Sequence, residues 1–196
     1  CEVVVLSPNS PQSGMGHAIT LDSTIYCDKV ELDEGDQMEF RCSGTPADCV
    51  KMAISEILDR RPDLVVSGIN HGSNSSINVI YSGTMSAAIE AGIEGIPAIG
   101  FSLLDYDWDA NFEPLKDQVR KIALSVLENG LQLAGVTIGQ RAQQSPPPPG
   151  IGARCQKRWL VVLERHQASR CQFDELIFAT PPKQINLPSR LASRSA

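Results

Sequence analysis

Between Asp63 and Gly92 a short apolar run, a long Gly/Asn/Ser-rich stretch and a helix-forming run follow one another, and that succession limits what the chain can fold into. Asp63-Leu64-Val65-Val66 reads as a parallel strand buried on both faces. Thr84–Ala91 is built of good helix formers and stops at Gly92. A long loop between strand and helix inside a compact domain usually carries function. This one lies beyond the carboxyl end of a strand, where open α/β sheets bind ligands. Its Ser82-Gly83-Thr84 end offers hydroxyls and free backbone N–H groups at a helix N-terminus, which suits a phosphate. Its other end, Ser67-Gly68-Ile69-Asn70, offers an amide oxygen to a hard cation. The segment reads as a phosphate-and-metal loop.

The flanking pattern agrees. Cys1–Leu6 (CEVVVL) and Pro97–Ser102 (PAIGFS) are further buried strands, and Ala18–Leu21, Thr24–Leu32 and Met38–Cys42 are short extended pieces. Asp33-Glu34-Gly35-Asp36 is a hairpin turn. Thr45-Pro46-Ala47-Asp48 starts a helix that runs to about Leu58, with Val50, Ala53, Ile54, Ile57 and Leu58 on one face. Glu113–Glu128 is a second amphipathic helix, closed by Asn129-Gly130. Strands alternating with helices imply an α/β fold, a doubly wound, mainly parallel sheet with helices on both faces.

Beyond Gly135 the pattern decays. Val136-Thr137-Ile138, Trp159–Leu163 and Leu176–Ala179 are possible strands. Four consecutive prolines before Gly150 make an extended linker, and the Arg/Ser-rich tail from Ser189 reads as disordered. Charge divides the chain at the same place: residues 1–135 carry −12 and residues 136–196 carry +6. The expectation is an α/β domain over 1–135 with a divergent, Pro-rich, basic segment over 136–196.

With 5% aromatic residues and a net charge of −6, neither a base-stacking surface for a nucleic-acid polymer nor an anionic-membrane surface is expected. No apolar run reaches the ~18 residues of a membrane span. Six cysteines without a CxxC pair read as free thiols, and a cytoplasmic location is expected. No signal peptide is visible. The chain opens on Cys1 already inside an apolar run, so its true start is expected upstream.

Each polar candidate has a plain structural alternative. Ser13 can be a ligand or an ST-turn former, and Asn70 a ligand or an Asx-turn former. Asn74 can reach a phosphate or, like Asn78, shape a turn. Ser82, Gly83 and Thr84 can seat an anion or simply cap a helix, and the two roles are compatible. His17 and His71 are possible general bases or surface residues. Asp48 in a first helical turn fits dipole complementation better than catalysis. Tyr106 and Trp108 can stack on a base or pack over a sheet edge.

Gln12-Ser13-Gly14, Ser43-Gly44-Thr45-Pro46-Ala47-Asp48-Cys49, Ser67-Gly68-Ile69-Asn70-His71-Gly72-Ser73-Asn74 and Tyr81-Ser82-Gly83-Thr84 occur in the order and spacing of the SurE (survival protein E) family. Over about residues 1–130 the chain resembles that family. The resemblance implies a Rossmann-like doubly wound fold and a metal-dependent phosphatase of 5′-nucleotidase type acting on nucleoside monophosphates. It implies metal ligation by Ser13 and Asn70, with Mg²⁺ or Mn²⁺ as the cation. It also implies phosphate contacts from Asn74, Ser82, Gly83 and Thr84, and a homo-oligomer. The family's first strand and its Asn-Asp-Asp-Gly loop, which carries the catalytic aspartate pair, are expected upstream of Cys1. The alternative is a nucleotide- or phosphate-binding remnant without turnover. The family's C-terminal third has no recognisable counterpart after about Leu133.

Overall fold

The computed structural model describes residues 2–107, 109–129, 133–138 and 158–162. Val3, Val4, Val5 and Leu6 form the interior of strand β1 (Glu2–Pro8) and are all buried, so this strand shows no polar alternation. The reason is a helical layer on each face. Val3 and Val5 pack with Leu64, Val66, Ile99 and Phe101 against α3 (Lys116–Asn129). Val4 and Leu6 pack with Val65 and Ala98 against α1 (Pro46–Met52) and α2 (Gly83–Ile93). This is the doubly wound arrangement that the alternation of strands and helices predicts.

The remaining strands are β2 (Cys27–Val30), β3 (Met38–Cys42), β4 (Leu64–His71), β5 (Ala98–Leu103), β6 (Leu133–Ile138) and β7 (Arg158–Val162). Among the described residues they form one sheet in the order β2-β3-β1-β7-β4-β5-β6. Every pairing is parallel except the edge pair β2–β3. Strand β7, from the basic segment, lies between β1 and β4, and its Leu160 and Val162 are fully buried in the layer shared with Val4 and Val65. Strand β6 runs across the 135/136 division.

Helix α1 starts where Thr45 and Pro46 signal it. The Asp48 N–H donates to Thr45 Oγ1 at 3.1 Å and the Thr45 N–H donates to Asp48 Oδ2 at 2.9 Å, a complete capping box. The helix then widens into a π-helical turn, Ala53–Ile57, closed by the Leu58 N–H on the Ala53 carbonyl at 2.9 Å. Several expectations change. Residues 18–21 are not a strand; Ala18 and Thr20 are instead tied to the start of α1 by hydrogen bonds from Thr45 and to Asp48. The piece expected over Thr24–Leu32 narrows to β2. Strand β4 continues to His71, and the stretch before α2 contains a 3-10 helix, Ser76–Tyr81, so the irregular part of the loop is much shorter than composition indicates. Ile77 and Ile80 are exposed and the segment buries no residue, so no apolar periodicity marks it in the sequence. Trp108, the proline run, Leu176–Ala179 and the tail lie outside the described residues.

Candidate functional site

The end of β4 is set by a bulge: its register with β5 shifts between Ser67 and Asn70. Gly68 makes it possible. Its φ is +112°, and a Cβ there would collide with the Phe101 carbonyl oxygen. The shift delivers Asn70 to the strand exit with its amide nitrogen turned into the loop. Nδ2 donates to the His71 carbonyl at 3.2 Å, the Gly72 carbonyl at 3.0 Å and Asn74 Oδ1 at 3.1 Å. Those acceptors fix the orientation of the amide and leave Oδ1 outside the network. Gly72 donates to the Leu103 carbonyl at 2.9 Å. The Tyr106 ring lies against the Gly72 backbone, and Tyr106 Oη accepts the Ser73 N–H at 3.2 Å, pinning the loop from above.

At the other end, Ser82 Oγ accepts the Met85 N–H at 3.0 Å and caps α2, while Ser86 Oγ donates to the Gly83 carbonyl at 2.6 Å. Gly83 and Thr84 occupy the first turn, where helix N–H groups lack intrahelical partners. Among the described residues, five buried side-chain polar atoms have no hydrogen-bond partner: Gln37 Oε1, Ser67 Oγ, His71 Nε2, Asn74 Nδ2 and Thr84 Oγ1. Four of them belong to the segment from β4 to the first turn of α2. Buried polar atoms are nearly always paired in native structures, by protein groups or by ordered water, so the concentration sets this segment apart from the rest of the described residues.

Ser13 is exposed in a turn closed by the Met15 N–H on the Gln12 carbonyl at 3.2 Å. Its loop is docked on the 3-10 segment: the Gly16 N–H donates to the Tyr81 carbonyl at 3.1 Å, and the close approach to Ile80 leaves no room for a Cβ at Gly16. The fold thus brings the Ser13 loop beside the segment leading into α2. Among the described residues no bond joins Ser13 to Asn70. Asn78 sits inside the 3-10 helix, a structural position.

Asp48 is almost fully buried and serves the scaffold. Besides the capping box, its carboxylate accepts the Thr20 hydroxyl at 2.6 Å and the Thr20 N–H at 3.1 Å, tethering the far end of the Ser13 loop. His17 Nε2 lies 2.7 Å from Glu90 Oε2, and Lys51 Nζ lies 2.6 Å from Glu90 Oε1. Burial pushes the Glu90 carboxyl upward, but hydrogen bonds and charge from Lys51 and His17 outweigh it and hold Glu90 below the usual carboxylate range. His71 is wedged edge-on against Phe112, with ring centroids 6.0 Å apart. The Lys51–Glu90–His17 cluster and the unpartnered Ser67 were not singled out from sequence. A serine closing an apolar strand run was the available signal for Ser67; nothing local marks Glu90.

For a hard divalent cation the described residues are an incomplete set. Ser13 and Asn70 provide neutral oxygens, and among the described residues no group of three His, Cys, Asp or Glu side chains is arranged to hold a metal. Hard cations are ordinarily anchored by carboxylates, so these residues alone do not fit one. What the segment does offer is donors, the Asn74 Nδ2 amide and the first N–H groups of α2.

Comparison with known proteins bears on the same segment. The family model described as "Survival protein SurE" matches residues 1–145. A 5′-nucleotidase SurE from Flavobacterium psychrophilum is 67% identical over 129 residues, covering 66% of this chain and 50% of that protein. One from Christiangramia forsetii is 65% identical over 136 residues, covering 69% and 52%. The chain therefore spans about half the length of the curated relatives it matches. The crystal structure of a SurE protein from Aquifex aeolicus aligns with a TM-score of 0.59 at 30% identity, covering 70% of this chain and 66% of that one. The bulged strand exit, the loop that follows it and strands β1 to β6 all fall within the matched residues 1–145, and the chain belongs to the SurE family.

Proposed function

We propose that this chain carries the phosphate-binding part of a phosphoric monoester hydrolase of 5′-nucleotidase type, acting on nucleoside monophosphates. The observation that carries the reading is the cluster of unpartnered buried polar atoms from Ser67 to Thr84, with Asn74 Nδ2 as its free donor. In this reading Asn74 donates Nδ2–H to a phosphoryl oxygen. Ser82 keeps its hydroxyl hydrogen for a second one while its lone pair caps α2, and the Gly83 and Thr84 N–H groups add the positive end of the helix dipole. Asn70 positions Asn74 through the 3.1 Å amide–amide bond. Each interaction is strongest with the most charged form of the bound group, so the cradle orients the phosphoryl group and neutralises part of its charge.

The divalent cation that the resemblance implies, Mg²⁺ or Mn²⁺, would draw on Ser13 and Asn70. Two neutral oxygens alone do not hold such an ion, which is ordinarily anchored by carboxylates. The resemblance also carries a homo-oligomer and a cytoplasmic location into the proposal; among the described residues no helix is long and apolar enough to cross a membrane.

Calorimetric titration of the full chain with a nucleoside monophosphate, the matching nucleoside and inorganic phosphate tests the cradle, with Mg²⁺, Mn²⁺ or a chelator present. The monophosphate is expected to bind and the nucleoside not. Asn74→Ala is expected to weaken binding about tenfold, the worth of one hydrogen bond to a charged group. Equal binding of the nucleoside, or an Asn74→Ala variant indistinguishable from the parent, overturns the assignment. Release of inorganic phosphate in the same mixtures tests turnover separately.

A further inference from the structure

Cys27 and Cys42 face each other across the antiparallel pair β2–β3. The next pair along, Tyr26 and Ser43, is the hydrogen-bonded one: the Ser43 N–H donates to the Tyr26 carbonyl at 2.8 Å and the Tyr26 N–H donates to Ser43 Oγ at 2.9 Å. Cys27 and Cys42 therefore form a non-hydrogen-bonded pair, the type in which facing Cα atoms stand about 4.5 Å apart and the side chains lie closest. That spacing falls within the range a disulfide spans. Both side chains point to the same face, against Cys49, Val50 and the rest of the layer beneath α1. We propose that Cys27 and Cys42 are a site of reversible oxidative modification, closed to a disulfide by a hydroperoxide.

The surroundings fit this chemistry. Cys42 Sγ accepts the Gly44 N–H at 3.4 Å. Hydrogen bonds from Cys49, Gly44 and Cys27 outweigh burial and hold the Cys42 thiol down to about 6. Cys27 is pushed up to about 12 by burial and by its thiolate neighbour, so the pair shares one proton near neutral pH. Cys42 is fully buried, whereas Cys27, on the edge strand, is only partly buried and is the more accessible residue of the two. As Cys27 attacks the outer peroxide oxygen, its proton passes to Cys42. The O–O bond breaks, Cys27 becomes a sulfenic acid, and the departing alkoxide or hydroxide takes a proton from water. Cys42 then attacks the Cys27 sulfur and expels hydroxide, which leaves as water with the Cys42 proton. One thiol, one thiolate and one hydroperoxide give one disulfide, one alcohol (or water) and one hydroxide, which the solvent neutralises.

The test is stoichiometric hydrogen peroxide on the full chain at neutral pH, followed by alkylation and peptide mass spectrometry, with and without dithiothreitol. A Cys27–Cys42 linked peptide that has lost two hydrogens and is released by dithiothreitol is the expected product. Cys42→Ser should give no link and, because it also removes the proton acceptor, should form a dimedone-reactive sulfenic acid on Cys27 more slowly than the parent forms its disulfide. Cys27→Ser, a half-exposed change that the fold should accept, should protect Cys42 from peroxide, and Cys49→Ala should keep the link. The proposal is overturned if Cys27 goes directly to a sulfinic acid in the parent. A linked peptide that joins Cys42 to Cys49, or Cys27 to Cys1, Cys155 or Cys171, also overturns it.

Discussion

Replacing Asn70 by aspartate looks the mildest change available at the strand exit, since it keeps an oxygen at the same reach and the same shape. The structure says otherwise. The side-chain hydrogen bonds of Asn70 are made by Nδ2, and their acceptors are two carbonyl oxygens and Asn74 Oδ1 at 3.0–3.2 Å. Asn70→Ala deletes these half-buried bonds, and at a net worth of about 1 kcal/mol each, reduced by water reaching the freed carbonyls, the loss is roughly 2 kcal/mol. Asn70→Asp loses the same bonds and also sets a carboxylate against the carbonyl oxygens. Rotation of the Asn74 amide can answer only one of the three contacts, so a further ~1–3 kcal/mol is expected from the unsatisfied charge. For a domain of this size each kcal/mol lowers the thermal midpoint by about 2–4 °C. The expected order of midpoints at pH 7 is parent, then alanine, then aspartate. Facing oxygens raise the folded-state pKa of the introduced carboxyl. Its penalty is therefore absent below the unfolded value of about 3.9, grows as pH rises through the folded value, and shrinks on acidification. Calorimetric scans of the three proteins at pH 7 and pH 4.5 measure this. An aspartate variant as stable as the parent at pH 7 would refute the orientation of Asn70 on which the phosphate cradle depends.

Two other predictions follow from the scaffold behind the site. Asp48→Ala removes the N3 partner of the capping box and strands the Thr20 and Thr45 donors, a loss of about 3 kcal/mol, and should also expose residues 12–20 to proteolysis; an unchanged cleavage pattern would detach the Ser13 loop from this tether. Glu90 has a depressed carboxyl, so its stabilisation is present above the unfolded value of about 4.3 and is lost as pH falls through the folded value. Glu90→Gln should lower the midpoint at pH 7 and remove that part of the acid sensitivity; parallel pH profiles for parent and variant would contradict the depressed value.

Local sequence determined a good deal of this protein. Short apolar runs between helical patterns read as strands covered on both faces, and β1, β4 and β5 are found there. Thr45-Pro46-Ala47-Asp48 and Ser82-Gly83-Thr84 start helices because capping is a matter of residues three apart, which sequence displays directly. The motifs from Gln12 to Thr84 also sufficed to indicate the family. Tertiary structure decided the rest, because it depends on contacts between residues far apart in the chain. Whether Asn70 presents its nitrogen or its oxygen was settled by the carbonyls that the β4 bulge turns towards it. Glu90 looks like an ordinary helix residue until α1 and the 12–20 loop pack Lys51 and His17 against it. The pairing of Cys27 with Cys42 follows from the register of the β2–β3 hairpin, which spacing along the chain does not encode. Strand β7 makes the same point on the largest scale: five residues beyond a proline-rich stretch lie between β1 and β4, where two parallel neighbours satisfy their backbone groups, and no local pattern specifies that position.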